Sequence, residues 1–156
     1  MADLVYPRPM LTVDVVVLAD PDCDAAASAS AADTGAPHVL LIERGREPFA
    51  GRWALPGGFV EDREPVGHAA ARELAEETGL RVPSLTLLGV YDTPGRDPRG
   101  WTVSVVYLAR VSVPADVVGA DDAQDACWFA ASALPPLAFD HDLIVADALR
   151  RAAPIR

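Results

Sequence analysis

The chain has 156 residues, 51% hydrophobic and 23% charged, which is typical of one globular domain over residues 1–156 and excludes a disordered chain. Its formal net charge of −10 provides no basic face for phosphates, so we expect no nucleic-acid partner. No apolar run is long enough for a bilayer and the N-terminus lacks a signal-peptide pattern, so we expect a cytoplasmic protein with no membrane partner.

The first half of the chain combines valine-rich strands with long loops. Residues 11–19, LTVDVVVLA, predict a strand, and residues 20–37 are a stretch of low complexity that predicts a flexible loop or insertion. Residues 38–44, HVLLIER, predict a second strand that runs into a loop rich in Gly and Pro. A helix is expected from about Pro65, which suits a first helical turn, to Thr78.

The second half continues the same alternation. Residues 85–92 and 101–113 predict two strands separated by the turn-rich sequence TPGRDPRG. Residues 121–130 begin polar and end as a short strand, and a last helix follows with Asp140 as its N-cap. Mixed strands with two helices predict an α/β fold in which a sheet is covered on both faces.

The segment RELAEETGL places negative charge where a helix disfavours it. It ends the first helix at Gly79 and carries Glu73, Glu76 and Glu77 on one face of the last turn. The carboxyl end of a helix favours cations, and carboxylates three and four residues apart repel each other. Arg72 alone cannot neutralise three carboxylates. A solvated acidic face and a site for a hard divalent cation are both compatible with this spacing.

The residues around these glutamates follow a longer pattern. Gly58, five residues, Glu64, seven residues, Arg72-Glu73-Leu74, one residue, Glu76-Glu77, one residue and Gly79-Leu80 follow in order. This pattern resembles the Nudix box of the Nudix hydrolases at every defining position. The resemblance implies an α/β/α sandwich with a mixed sheet and a loop–helix–loop that binds Mg²⁺ or Mn²⁺. It also implies hydrolysis of a nucleoside diphosphate linked to another group X.

The resemblance assigns metal-binding roles residue by residue. Glu73, Glu76 and Glu77 match the glutamates that bind the metal, and the backbone carbonyl of Gly57 matches a further ligand. Arg72 matches the residue that orients these glutamates.

Catalytic roles follow from the same resemblance. A carboxylate must remove a proton from the attacking water, and the resemblance implies a catalytic set of Glu64, Glu76, Glu77 and Asp122. Glu64 would hydrogen-bond to metal-bound water. Glu77 is one candidate for the base, and Asp122 is the first candidate from a later loop, before Asp121 and Asp125. A solvated turn is the alternative interpretation of these three aspartates.

Sequences outside the box resemble one branch of the family. RGREPFAGRWALPGGFVE, YDTPGRDPRGWTVSVVY and AFDHDLIVADAL are similar to ADP-ribose pyrophosphatases and to the Nudix domains of regulators of NAD metabolism. Pro94 fits the ADP-ribose type. The resemblance implies hydrolysis of ADP-ribose to AMP and ribose 5-phosphate, and a homodimer. A pyrophosphohydrolase for oxidised nucleoside triphosphates and a non-catalytic ADP-ribose sensor are the alternatives. The regulators have a winged-helix segment and often a degraded box, so an intact box in a chain that ends at Arg156 favours an enzyme.

Substrate contacts are expected from residues that flank the box. Arg44 and Arg96 suit bidentate phosphate binding. Phe49 and Trp53, like Trp101, can stack on adenine, although a core role is an equal alternative. We expect no chemical role for the remaining thiol and imidazole groups, those of Cys23, Cys127, His38, His68 and His141.

Overall fold

The computed structural model describes residues 6–20, 35–112 and 115–153. The strands there are β1 (Met10–Ala19), β2 (His38–Arg44), β3 (Trp53–Ala54), β4 (Gly57–Phe59), β5 (Thr86–Tyr91), β6 (Thr102–Val111) and β7 (Ala123–Ala130). The helices are α1 (Val66–Thr78) and α2 (His141–Ala152). The predicted strands and helices are confirmed, whereas the predicted loop at 20–37 lies mostly outside the described residues. Neither of these two helices is long and apolar enough to cross a membrane.

One mixed sheet contains all the strands of the described ranges. Its order is β3-β2-β1-β6-β5, with β4 also paired to β1 and β7 to β2. β1 and β6 are parallel along their whole length, from Met10↔Thr102 to Ala19↔Val111, and the other pairs are antiparallel. β3 and β4 are two short strands within a segment that we expected to be loop.

The two helices cover opposite faces of this sheet. Successive residues of a strand point to opposite faces, and β1 is buried on both. Val15 and Val17 pack with Leu74 of α1, whereas Val16 packs with Ile144 of α2. The predicted α/β/α sandwich is therefore confirmed.

The segment from β3 to β4 lies where β1 and β2 separate. β1 pairs with β2 at Leu18 and Ala19, near its end, but with β4 at Thr12 to Asp14, near its start. β2 pairs with β3 beyond that point. The backbone between β3 and β4 therefore fills a gap between diverging strands and runs beside α1, which packs against β4.

The helix ends follow the prediction in position but differ in one side chain. Gly79 ends α1 in the left-handed conformation with φ 72°, and its N–H donates to the carbonyl of Ala75. Asp140 precedes α2 as expected, but its carboxylate makes no capping bond. It accepts instead from Nε of Arg96 at 2.9 Å and from Nη2 at 2.7 Å. This bidentate pair ties the turn after β5 to the start of α2.

Neighbouring residues of α2 provide a test of how this helix is held. Ile144 is 0% exposed and Leu143 is 50% exposed. We expect Ile144→Ala to lower the free energy of unfolding by about 2–5 kcal/mol, because it leaves a cavity between α2 and the sheet. Leu143→Ala is the matched control and should change it by no more than about 0.5 kcal/mol. Urea denaturation measures both, and equal losses would contradict the packing described above.

Candidate active site

A cavity of about 560 Å³ lies beside the last turns of α1. Strands, helices and loops that are distant in sequence contribute to its wall. Its lining includes Asp14, Arg44, Gly57, Gly58, Arg72, Glu73, Glu76, Glu77, Arg96, Asp97, Arg99, Asp121, Asp122, Phe139 and His141. Most of the residues singled out in the sequence therefore face one space.

Arg72 connects three of the carboxylates of the box. Its Nη1 lies 2.8 Å from Oε1 of Glu73 and 3.1 Å from Oε2 of Glu76. Its Nε and Nη2 each lie 2.8 Å from the carboxylate of Glu64. These bonds from Arg72, with one from the backbone of Glu61, lower the pKa of Glu64 to about 2. Glu64 is thereby held as an ionised partner of the arginine, outside the cavity lining.

Glu77 bonds to the backbone of β4, whereas Glu73 and Glu76 bond to Arg72. Glu77 is only 6% exposed, and its Oε2 accepts a hydrogen bond from the backbone N–H of Gly57 at 2.9 Å. No Lys, Arg or His of the described ranges forms a salt bridge with it. Burial raises its pKa to about 8, and the charges of Glu73 and Asp14 add to that rise. The most buried of the three glutamates is thus the one without a cationic partner among the described residues.

β4 lies so close to α1 at Gly58 and to β1 at Gly57 that neither position has room for a side chain. A Cβ on Gly58 would lie 2.5 Å from Oε1 of Glu73, and one on Gly57 would lie 2.2 Å from the carbonyl oxygen of Val13. Both distances are shorter than van der Waals contact. Glycine at these two positions lets the backbone lie directly against the carboxylates.

The donor set suits a hard divalent cation, although its side chains are directed elsewhere. As they stand, no three His, Cys, Asp or Glu residues within 6–20, 35–112 and 115–153 are grouped so as to hold a metal ion. Glu73 and Glu76 point to Arg72, and Glu77 points to Gly57. Carboxylate and carbonyl oxygens are nevertheless the ligands that Mg²⁺ and Mn²⁺ prefer. A cation would also compensate the buried carboxylate of Glu77, so the residues fit the ion by their chemistry.

A basic and aromatic wall faces the carboxylates. The ring of Phe139 has the guanidinium carbon of Arg44 4.9 Å from its centroid and that of Arg99 at 5.5 Å. Nε of Arg44 donates to the carbonyl of Pro48 at 2.8 Å, and no carboxylate of the described chain forms a salt bridge with it. Burial, followed by repulsion from Arg99, lowers the pKa of Arg44.

Arg99 was not among the contacts that we predicted, although it belongs to the same basic wall. Asp97 accepts from its Nε at 3.0 Å and from its Nη2 at 2.7 Å. Partial burial raises the pKa of Asp97, but these hydrogen bonds outweigh it and the pKa is lowered. Since Asp97 balances Arg99, the half-buried charge of Arg44 is the one left for an anion.

The other predicted substrate contacts are occupied within the protein. The side chain of Arg96 is 4% exposed in its pair with Asp140. Phe49 packs edge-on to Phe139, at 4.9 Å between ring centroids. Trp53 packs edge-on to Phe129 within the core beneath α2 and lies outside the cavity lining. Substrate contact by these residues stays a prediction.

The three candidate aspartates separate into two groups. Asp121 and Asp122 line the cavity. Oδ1 of Asp122 lies 2.7 Å from Nη2 of Arg46, and its side chain is 44% exposed. Asp125 pairs with Glu43 between β7 and β2 and does not reach the lining.

A buried polar group in the cavity lining was missed in the sequence. His141, to which we assigned no role, is 4% exposed and accepts at Nδ1 from the N–H of Leu55, 2.9 Å away. Asp14 accepts at Oδ2 from Oγ of Ser104. The signal for Asp14 was present, because it interrupts the valine run of β1.

Comparison with known proteins supports the pattern found in the sequence. The NUDIX domain family matches residues 24–149. An ADP-ribose pyrophosphatase of Methanocaldococcus jannaschii is 48% identical over 112 residues, which are 72% of this chain and 66% of that protein. The ADPR responsive transcriptional repressor NtrR of Acinetobacter baylyi is 34% identical over 94% of this chain and 55% of its own length. The chain thus spans less than two thirds of either relative.

A solved structure shares the fold. The NUDIX domain of Shewanella oneidensis NrtR, complexed with ADP ribose, has a TM-score of 0.80 and 31% identity to this chain. The similarity covers 95% of this chain and 91% of that one.

The buried carboxylate of Glu77 leads to a prediction about pH. Its pKa is about 8 in the folded chain and 4.5 as a free group, so the native state binds a proton that the unfolded chain releases between these values. Without divalent cations, stability should therefore fall as pH rises from 5 to 8. Glu77→Gln should lose less stability than wild type over this pH range, and should be more stable than wild type at pH 8.

Urea denaturation in EDTA at several pH values measures the difference. Glu43→Gln, on β2 outside the cavity lining, is the matched control and should keep the wild-type slope. Parallel curves for wild type and Glu77→Gln would contradict the prediction.

Proposed function

This chain belongs to the NUDIX family, and from that premise we propose that it is a pyrophosphatase that hydrolyses ADP-ribose to AMP and ribose 5-phosphate with Mg²⁺ or Mn²⁺. One observation carries the proposal: a single cavity has the carboxylates of α1 on one wall and, on another, the guanidinium of Arg44, which has no carboxylate partner among the described residues. A diphosphate needs both, because its negative charge must be offset by a cation that the carboxylates would hold and by the guanidinium of Arg44. The names of the similar proteins supply the choice of ADP-ribose.

The carboxylate wall is the proposed cation site. Glu73, Glu76, Glu77 and the carbonyl of Gly57 would hold the ion, and Arg72 would keep the first two glutamates in place between binding events. When bound, a divalent cation offsets phosphate charge and lowers the pKa of a coordinated water. Glu77 contributes a carboxylate already fixed by the backbone of β4, so little side-chain entropy remains to be lost.

The basic wall is the proposed phosphate site. The guanidinium of Arg44 is held over Phe139 and by the carbonyl of Pro48. A guanidinium fixed in this way presents its free N–H groups to a phosphate in bidentate geometry. Arg99 contacts the same ring, but Asp97 balances its charge.

Asp122 is the proposed acceptor of the proton from water. Glu64 suits this role poorly, because Arg72 stabilises its ionised form and lowers its pKa to about 2. Glu77 is directed towards Gly57 in the wall itself. Asp122 lies on a separate loop, lines the cavity and is partly exposed, so it can reach a water between the two walls. Asp121 is the next candidate.

A non-catalytic ADP-ribose sensor is the second candidate function. The likeness to the repressor of A. baylyi covers 94% of this chain, and the solved NUDIX domain with ADP ribose belongs to a protein called NrtR. The two functions differ in turnover, which decides between them.

Hydrolysis assays test the proposed function. With Mg²⁺ the wild-type protein should convert ADP-ribose to AMP, seen by anion-exchange chromatography, and should act faster on it than on oxidised nucleoside triphosphates. Glu77→Gln should lower kcat by about a hundredfold or more, because it removes both a cation ligand and a negative charge. Glu43→Gln should remain within about twofold of wild type.

Two other results would redirect the proposal. Tight binding of ADP-ribose by calorimetry without turnover of any nucleotide would select the sensor. Faster turnover of oxidised triphosphates, with ADP-ribose ignored, would select a triphosphate pyrophosphohydrolase.

Arg44 and Arg96 should respond differently to the same substitution. Arg44→Gln should raise KM for ADP-ribose about tenfold, because a charged hydrogen bond to phosphate is lost. Arg96→Gln should instead lower the free energy of unfolding by about 3 kcal/mol, because Asp140 is left without its bidentate partner. Steady-state kinetics and urea denaturation separate the two effects. A tenfold rise of KM in Arg96→Gln at unchanged stability would show that Arg96 binds substrate directly.

A further inference from the structure

We propose that His141, the first residue of α2, is a positioning residue that fixes residues 55–57, and with them the cation-binding carbonyl of Gly57. The inference rests on the proposed function, because it takes the carboxylate wall to bind a cation. It adds a contribution from the second helix, which holds none of the predicted ligands.

The bonding of His141 defines its orientation. The backbone N–H of Leu55 donates to its Nδ1 at 2.9 Å, so Nδ1 carries no proton and the neutral ring is protonated at Nε2. Nε2 lies 3.6 Å from Oδ1 of Asp14. This distance is longer than a hydrogen bond, so the contact is one between a dipole and a charge. The imidazole therefore connects Leu55 to Asp14 across the floor of the cavity.

Asp14 in turn lies directly against the backbone of Gly57. The two residues are partners in the pairing of β1 with β4. A Cβ on Gly57 would lie 2.7 Å from Oδ1 of Asp14, which shows how little space separates them. Ser104 of β6 holds the other oxygen of Asp14. A shift of the Asp14 carboxylate would therefore press on Gly57.

Three successive residues of this segment are held by three different elements. The N–H of Leu55 is bound by His141 of α2, and the carbonyl of Pro56 accepts from Val15 of β1 at 2.8 Å. The N–H of Gly57 is bound by Glu77 of α1 at 2.9 Å. The Gly57 carbonyl that follows is thus oriented by both helices and the central strand. Partners that orient metal ligands typically change metal affinity about ten- to hundredfold when removed.

Binding of Mn²⁺ without substrate tests this role, with the electron paramagnetic resonance signal of free Mn²⁺ as the readout. His141→Leu removes both the acceptor for Leu55 and the contact with Asp14, and should raise the Kd for Mn²⁺ about tenfold or more. His141→Asn places an amide oxygen where Nδ1 accepts from Leu55, and should bring the Kd back to within about threefold of wild type.

Tyr91→Phe is the matched control for a general loosening of α2. The hydroxyl of Tyr91 donates to Asp147 of the same helix at 2.8 Å, and Tyr91 lies outside the cavity lining. This variant should lower Tm but leave the Kd for Mn²⁺ within about twofold of wild type.

Several results would overturn the inference. One is that His141→Leu folds and binds Mn²⁺ with the Kd of wild type. Another is that Tyr91→Phe loses as much affinity for Mn²⁺ as His141→Leu does. If His141→Leu does not fold, His141→Gln decides in its place, because its longer side chain has no acceptor at the position of Nδ1: a Kd raised at least threefold supports the inference, and an unchanged Kd overturns it. Wild-type protein that binds Mn²⁺ but does not hydrolyse ADP-ribose would refute the proposed activity alone. Wild-type protein that does not bind Mn²⁺ would refute both.

Discussion

Like charges gathered at the wrong end of a helix are the constraint on which the site depends. Each glutamate of the last turn of α1 needs a partner, and the fold supplies two kinds. Arg72 donates hydrogen bonds to Glu73 and Glu76, while the backbone of β4 donates one to Glu77. The second solution requires β4 to lie against the helix, which only glycine allows. The separation of β1 from β2, which makes room for β4, belongs to the same requirement.

The basic wall holds two guanidinium groups, those of Arg44 and Arg99, which repel each other. Both guanidinium groups lie over the ring of Phe139, whose negative π-electron density offsets part of their repulsion. Asp97 then neutralises Arg99, and Arg44 keeps no carboxylate partner within the part of the chain that the structure describes. An acidic protein can in this way attract an anion locally. The ring and the two cations act as one unit, so a change to Phe139 would alter both charges.

Features written in local sequence were predicted, and features made by distant pairing were not. The 3.6-residue period and Gly79 define α1, and alternating valines define β1. β3 and β4 have too few residues for any period to appear, since their partners decide that they are strands. Asp140 precedes α2 as expected, but its carboxylate bonds to Arg96, 44 residues earlier, and does not cap the helix. The glutamates of the site lie within one helix and were found; His141 acts through Leu55, 86 residues away, and was missed.

The parallel pairing of β1 with β6 has a consequence for the order of folding. The bond between Ser104 and Asp14 spans 90 residues, and closing so long a loop costs entropy before any contact is gained. α1 can form early from local bonds, and so can the antiparallel pair β5–β6. The floor of the cavity forms only after β1 has paired with β6. A nascent chain would therefore display its acidic helix well before it possesses a site.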